Sequence, residues 1–220
     1  MTSGLFITGT DTGIGKTVAA VALLHAFVAS GRRAVGMKPV AAGFEGDASV
    51  NADVVALEAA GNVAAPLAER NPYGFAPAIA PHVAAAQAGV TVDLAVIEAA
   101  YRRLAARADV VVVEGAGGPL VPLGPRGDTL DIAKRLALPV VLVVGVRLGC
   151  LNHALAAELA IRARGLVLAG WIANRIDPAM PCADASVAAL IRRLPAPLVA
   201  DLGWDAATLP RGALHRLRSP

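Results

Sequence analysis

Short apolar runs alternate along the chain with longer segments in which apolar residues recur every three or four positions. Residues 5–7, 33–37, 110–113, 139–144, 166–172 and 198–202 are short, rich in Val, Leu and Ile, and read as strands. The unbroken valine run at 110–113 is what a strand buried on both faces looks like. Residues 16–30 carry Ala20, Val21, Leu24, Phe27 and Val28 on one broad stripe and stop at Gly31, and residues 51–60 stop at Gly61. Leu94, Ile97, Tyr101 and Leu104 repeat at helical spacing behind Thr91, a candidate N-cap, with Arg102, Arg103 and Arg107 toward the helix end. Residues 128–136, and a segment marked by Leu151, Leu155 and Leu159 that ends at Gly165, complete the predicted helices. Residues 43–47 predict a loop, and 66–81, rich in proline and without periodicity, a long packed loop. The alternation predicts an α/β fold: a mainly parallel central sheet flanked by helices, with right-handed crossovers. No repeat or low-complexity linker interrupts it, so residues 1–220 are expected to form a single domain.

Composition narrows the class. Of the 220 residues, 56% are hydrophobic and 17% charged, which suits one sizeable core and argues against disorder. The longest apolar candidate, residues 140–146, contains Gly145 and falls far short of the roughly 20 residues of a membrane-spanning helix. No basic segment followed by a long apolar one opens the chain, so no secretion signal is expected. Cys150 and Cys182 lack metal-site spacing and are expected to be reduced thiols; a cytoplasmic protein without a membrane partner is the expectation. The net charge of +3 comes with arginines scattered in pairs at most and few aromatics, so no nucleic-acid partner is expected. Lysine is rare, found only at Lys16, Lys38 and Lys134. A compact ammonium is not interchangeable with a guanidinium fork, so Lys16 and Lys38, both beside predicted strand ends, are candidates for chemistry.

The candidate chemistry gathers at carboxyl ends of predicted strands, the edge where open α/β sheets bind ligands. Residues 9–17 read Gly-Thr-Asp-Thr-Gly-Ile-Gly-Lys-Thr between the first strand and the first helix. Strand, glycine-rich loop and helix in this order make a phosphate loop of P-loop NTPase type, one residue longer between Gly9 and Gly15 than usual. Its glycines let N–H groups converge on an anion, and the helix start adds partial positive charge. Gly13, Ile14, Gly15 and Val18 are thus expected around a nucleotide, Lys16 at its β- and γ-phosphates, and the Thr17 hydroxyl on Mg2+. Lys38 follows the second strand, which Pro39 closes. Glu114 ends the valine strand, where a carboxylate is placed to bind or orient Mg2+ opposite Thr17. The glycines after it are no dinucleotide fingerprint, because Leu120 stands where the third glycine belongs. On spacing alone, Asp53 is favourable charge in a helix's first turn, worth roughly 0.3–1 kcal/mol.

Further motifs occur in order along the chain: Lys38-Pro39-Val40-Ala41, Asn71-Pro72-Tyr73, Pro81-His82, Val113-Glu114-Gly115-Ala116-Gly117-Gly118, Val143-Val144-Gly145-Val146, Leu148-Gly149-Cys150 with Asn152-His153, and Ala169-Gly170-Trp171 with Asn174. With the lengthened phosphate loop, this set resembles the dethiobiotin synthetase family of the biotin pathway over nearly the whole chain. The resemblance implies that 7,8-diaminopelargonate, CO2 and MgATP give dethiobiotin, ADP and phosphate. A substrate amine forms a carbamate, the carbamate attacks the γ-phosphoryl group, and the second amine closes the ureido ring and expels phosphate. It implies ATP as co-substrate and Mg2+ held by Thr17, Asp53 and Glu114. Lys16, Lys38 and Thr12 would be catalytic, with Thr12, Lys38 and Ala42 near the diamine and Asn174 at the adenine edge. It also implies a twofold homodimer in which Gly149, Cys150, Leu151 and Asn152, at a helix start, bind the substrate carboxylate in the partner's site. Without the resemblance, Asn152 reads equally well as a cap of its own helix. Three positions depart from the family pattern: Gly13, where some members carry an acid; Ala42, where serine is frequent; and Gly203, where proline is common. Two other classes share such a fold. A partitioning-type switch ATPase usually has an extra lysine early in the loop, and the residues between Gly9 and Gly15 contain none. A small-molecule kinase often has an arginine-bearing lid, for which no segment stands out.

Overall fold

The computed structural model describes residues 3–44, 50–125, 127–204 and 208–217, so part of the predicted 43–47 loop lies outside the described residues. In chain order the elements are β1 (Ser3–Gly9), α1 (Lys16–Ala29), β2 (Ala34–Met37), β3 (Val40–Ala42), α2 (Ala52–Ala60), α3 (Leu67–Arg70), β4 (Tyr73–Phe75), α4 (Pro81–Gln87), α5 (Leu94–Ala105), β5 (Val110–Glu114), α6 (Thr129–Arg135), β6 (Val140–Gly145), α7 (Cys150–Ala163), β7 (Leu168–Asn174), α8 (Ala183–Arg193) and β8 (Leu198–Leu202). A 3-10 turn, Ala213–Arg216, follows. Six strands form one sheet in the order β2-β5-β1-β6-β7-β8, and each described pairing is parallel.

Side-chain parity on β5 divides the core into two layers. Val111 and Val113 join Phe6, Ile97, Leu130, Ile161 and Leu190 on the face covered by α5 to α8. Val110 and Val112 join Ile7, Leu23, Leu24 and Leu57 beneath α1 and α2. The chain runs from β1 outward past β5 to β2, while β6, β7 and β8 extend the opposite edge, so the order reverses beside β1. That is where an α/β sheet opens a crevice at its strand ends.

The segment expected to be a loop over 66–81 is partly regular. It contains α3, β4 and the start of α4, and β4 pairs with β3 just beyond Pro39, Val40 opposite Tyr73 and Ala42 opposite Phe75. Elements this short carry too few turns or alternations for periodicity to register. The N-cap of α5 is Asp93, whose carboxylate accepts the Ala95 N–H at 2.8 Å, and not Thr91. Both residues are capping types, but Asp93 directly precedes the first helical residue. The buried side of α1 centres on Ala20, Leu23, Leu24 and Phe27, with Val21 and Val28 at its margin. Helix α8 is absent from the sequence-based set, since only Val187 and Leu190 of its side chains are buried and its stripe is thin. Strand β7 starts and ends two residues later than expected, which makes Asn174 its last member.

Candidate active site

The phosphate loop joins β1 to α1. Gly15 stands at the helix start with φ of 83°, and no side chain caps α1, so its first-turn N–H groups are left for a ligand. The Lys16 ammonium donates to the Asp11 carbonyl at 2.8 Å. Burial lowers the Lys16 pKa below the ordinary lysine value, against the opposing pull of Glu114.

Across the crevice, Lys38, Asp53, Glu114 and Thr17 form one network. The Lys38 ammonium donates to Asp53 Oδ2 at 2.6 Å and to Glu114 Oε1 at 2.5 Å, and the Thr17 hydroxyl donates to the same Glu114 oxygen at 3.0 Å. Lys38 is 6% exposed and Glu114 0%. Burial by itself would lower the lysine pKa, but Glu114 and Asp53 together outweigh it and raise it. Burial also pushes the Glu114 carboxyl up, and Lys38 offsets only part of that. For Asp53 burial pulls upward, yet the neighbouring ammonium prevails and holds the carboxyl below the usual aspartate range. The contact lifts Asp53 from a helix-terminal charge to a member of the site.

Other residues fix this geometry, and the sequence reading gave them no role. Asn51 caps α2, its oxygen accepting the Asp53 N–H at 3.0 Å while its amide donates to the Gly43 carbonyl at 2.6 Å. An asparagine directly before an apolar helical run is a start signal that could have placed it. The Asn71 amide donates to the Lys38 carbonyl at 2.7 Å, a long-range contact with no local signature. Arg147 pairs with Asp11 at 2.6 Å and ties the end of β6 to the phosphate loop.

Both halves open into one cavity of about 730 Å3. Thr12, Gly13, Gly15, Lys16, Thr17 and Val18 line it from the loop, Lys38, Asp53 and Glu114 add its charged groups, and Val40, Ala42, Ile79, Pro81 and Val121 give it an apolar wall. Three of the expected site regions are not part of that lining. Ile14 is buried beneath the loop, and Asn174 donates its side-chain amide to the Ile14 carbonyl at 2.8 Å. The 149–152 segment lies at the start of α7 and contributes no residue to that lining. There Gly149 is the N-cap and no side chain caps the helix, so Asn152 is not a cap. Cys150 is buried and its N–H donates to the Arg147 carbonyl at 3.0 Å, whereas Gly149, Leu151 and Asn152 face outward.

The donor set suits a hard divalent cation. Every candidate ligand is an oxygen, and the buried Glu114 Oε2 has no hydrogen-bond partner among the described residues. Among the described residues no cluster of three or more His, Cys, Asp and Glu forms. Mg2+ in phosphate-transfer sites needs no such cluster, because one or two carboxylates and the phosphates hold it.

A parallel sheet, a phosphate loop opening a helix, and a carboxylate at the end of a neighbouring strand define a P-loop NTPase. A chain of the MinC:MinD cell division complex of Aquifex aeolicus shares the fold, with a TM-score of 0.57 at 15% identity over 91% of this chain and 81% of that one. A family model described as an AAA domain matches residues 3–210. The ATP-dependent dethiobiotin synthetase BioD of Aromatoleum aromaticum is 54% identical over 217 residues, 98% of this chain and 96% of the relative. The enzyme of the same name from Nitrosospira multiformis is 52% identical over 205 residues, 93% of this chain and 90% of the relative. The chain belongs to the dethiobiotin synthetase family.

The Lys38 ammonium stands between the same carboxylates that a cation would use. Removing it in Lys38→Met leaves Asp53 and Glu114 without the ammonium that contacts both, with only the more distant Lys16 charge nearby. Nucleotide-free Lys38→Met is therefore expected to bind Mn2+ about tenfold or more tightly than wild type by electron paramagnetic resonance titration, a gain of about 1.4 kcal/mol. Equal affinities would show that lysine and cation do not compete.

Proposed function

We propose that the chain catalyses ATP-dependent ring closure of 7,8-diaminopelargonate with CO2 to dethiobiotin, releasing ADP and phosphate. The observation that carries this is the single cavity, in which the phosphate loop, the Lys38 network and an apolar wall meet. The wall suits the aliphatic chain of the diamine, and the uncapped α1 start and Lys16 suit a triphosphate. ATP is the co-substrate, as the relatives' name states.

The chemistry is mostly positioning and charge stabilisation. One amine adds to CO2 and loses a proton to give a carbamate. A carbamate oxygen attacks the γ-phosphorus, ADP leaves, and the second amine displaces phosphate from the mixed anhydride. Lys16 would hold the transferring phosphoryl oxygens and the ADP leaving group. Thr12 and Lys38 would hold the diamine and the developing carbamate anion, Lys38 after giving up its carboxylate partners. Thr17, Asp53 and Glu114 would bind Mg2+, which neutralises phosphate charge during transfer. Asn174 would contact the adenine edge.

We further propose a homodimer in which the start of α7 completes the partner's site. Gly149, Leu151 and Asn152 face outward off their own chain's cavity, and the neighbouring Leu148 is 90% exposed, which favours a second copy over solvent. Residues 1–220 are taken as one domain, supported by the six-stranded sheet that contains both β1 and β8. The cytoplasm is the proposed compartment. Among the described residues no helix is long and apolar enough to cross a membrane.

The direct test is ATP turnover in the presence and absence of each co-substrate. Phosphate release is expected only with both the diamine and bicarbonate, and Lys16→Ala should lower it by about 10²-fold or more without unfolding the protein. Turnover indifferent to the diamine would instead favour a switch ATPase. For the shared site, Lys38→Ala and Gly149→Trp proteins are each expected to be nearly inactive alone. Mixed dimers put both lesions in one site, so activity should return to about half the wild-type value. Verified heterodimers that stay inactive would rule out sharing.

A further inference from the structure

We infer that Asn174 is a positioning residue for the phosphate loop: its side-chain amide sets the peptide between Ile14 and Gly15 so that the Gly15 N–H is turned toward the nucleotide's phosphates. The inference rests on the reading of residues 9–17 as the phosphate site, and goes beyond any contact between Asn174 and the base.

The side chain is mounted on rigid backbone. Asn174 pairs with Gly145 of β6 on one side and Leu202 of β8 on the other, and its carbonyl accepts the Val146 N–H at 2.7 Å. From this interior strand its amide reaches the Ile14 carbonyl at 2.8 Å, with both residues buried. The Ile14 side chain is seated on the same edge: a Cβ at Gly145 would lie 2.7 Å from Ile14 Cβ, so only glycine leaves room for it. Asn174 also shapes the next position. A Cβ at Gly15 would fall 2.0 Å from Asn174 Nδ2.

The orientation then follows from peptide geometry. In a planar trans peptide the C=O and the following N–H point in opposite directions. With the Ile14 carbonyl held toward Asn174, the Gly15 N–H points away from β7, and Gly15 lines the cavity whereas Asn174 does not. Gly13 and Gly15, at φ of 73° and 83°, flank Ile14. Glycine visits either sign of φ at little cost, so this peptide plane can turn over unless something holds it. The amide spends one N–H on the loop, leaving its oxygen and second N–H for other contacts.

A ligand with phosphates but no base separates the two roles. Magnesium tripolyphosphate and MgATP are titrated into wild type, Asn174→Ala and the isosteric Asn174→Asp by calorimetry, with the melting temperature of each protein recorded. Asn174→Ala is expected to weaken tripolyphosphate about three- to tenfold, the effect of losing one hydrogen bond, and Asn174→Asp, which has no donor, at least as much. Loss confined to MgATP, with tripolyphosphate affinity unchanged, would overturn the inference and leave a base contact only. Wild-type protein that binds MgATP but not tripolyphosphate would overturn the phosphate-loop reading as well. Should neither variant fold, the wild-type protein supplies the answer by nuclear magnetic resonance. The Asn174 side-chain amide should exchange slowly both free and with tripolyphosphate, and the Gly15 amide proton should move downfield on binding. Rapid Asn174 exchange, or an unmoved Gly15 proton, would contradict it.

Discussion

The buried contact between Lys38 and Glu114 organises this site. A carboxylate sealed at the end of a valine strand has lost its water, and removing the partner of such a group typically costs about 3–5 kcal/mol. Sheet register delivers the partner. Strand β2 lies beside β5 with Met37 opposite Val113, so the residues that follow these two, Lys38 just past β2 and Glu114 at the end of β5, emerge together at the carboxyl edge. Strand β1 flanks β5 on its other side with Ile7 opposite Glu114, and the loop that follows returns Thr17 to the same carboxylate. Asp53 closes the group from α2, which Leu57 anchors against the sheet. The phosphate loop, the proposed cation ligands and the lysine proposed to face the substrate thus share one electrostatic centre.

Much of this was legible because the signals are local. Consecutive valines mark a strand with two covered faces, and glycines ending in Lys16-Thr17 mark a phosphate loop whatever surrounds them. Lys38 and Glu114 could be placed at strand ends from the chain alone, though not paired with each other. Asp53 was different: its local signature is that of any acid at a helix start, so along the chain only the family resemblance singled it out, and the contact with Lys38 is what places it in the network. The contacts of Asn71 with Lys38, Arg147 with Asp11 and Asn174 with Ile14 join residues far apart in sequence, so even the motifs that contain Asn71 and Asn174 do not announce them. Strands β3 and β4 escaped for a different reason, being three residues each.

The fold by itself is shared with a chain of a cell division protein complex at low identity, and says little about chemistry. Specificity lies in what the cavity adds to the phosphate loop. A lysine that can trade its carboxylate partners for an incoming anion would suit any anion, and an apolar wall any aliphatic chain. Their meeting beside a triphosphate site suits a substrate that becomes anionic only when it takes up CO2.

The central claim is that a CO2-derived carbamate, and not water, attacks the γ-phosphoryl group in this cavity. It is tested by running a brief turnover with 18O-labelled CO2 in unlabelled water and weighing the phosphate produced. Carbamate attack leaves one CO2 oxygen in the ureido carbonyl and transfers the other to phosphate, so singly labelled phosphate is the expected result. Unlabelled phosphate, formed while dethiobiotin accumulates, would contradict it.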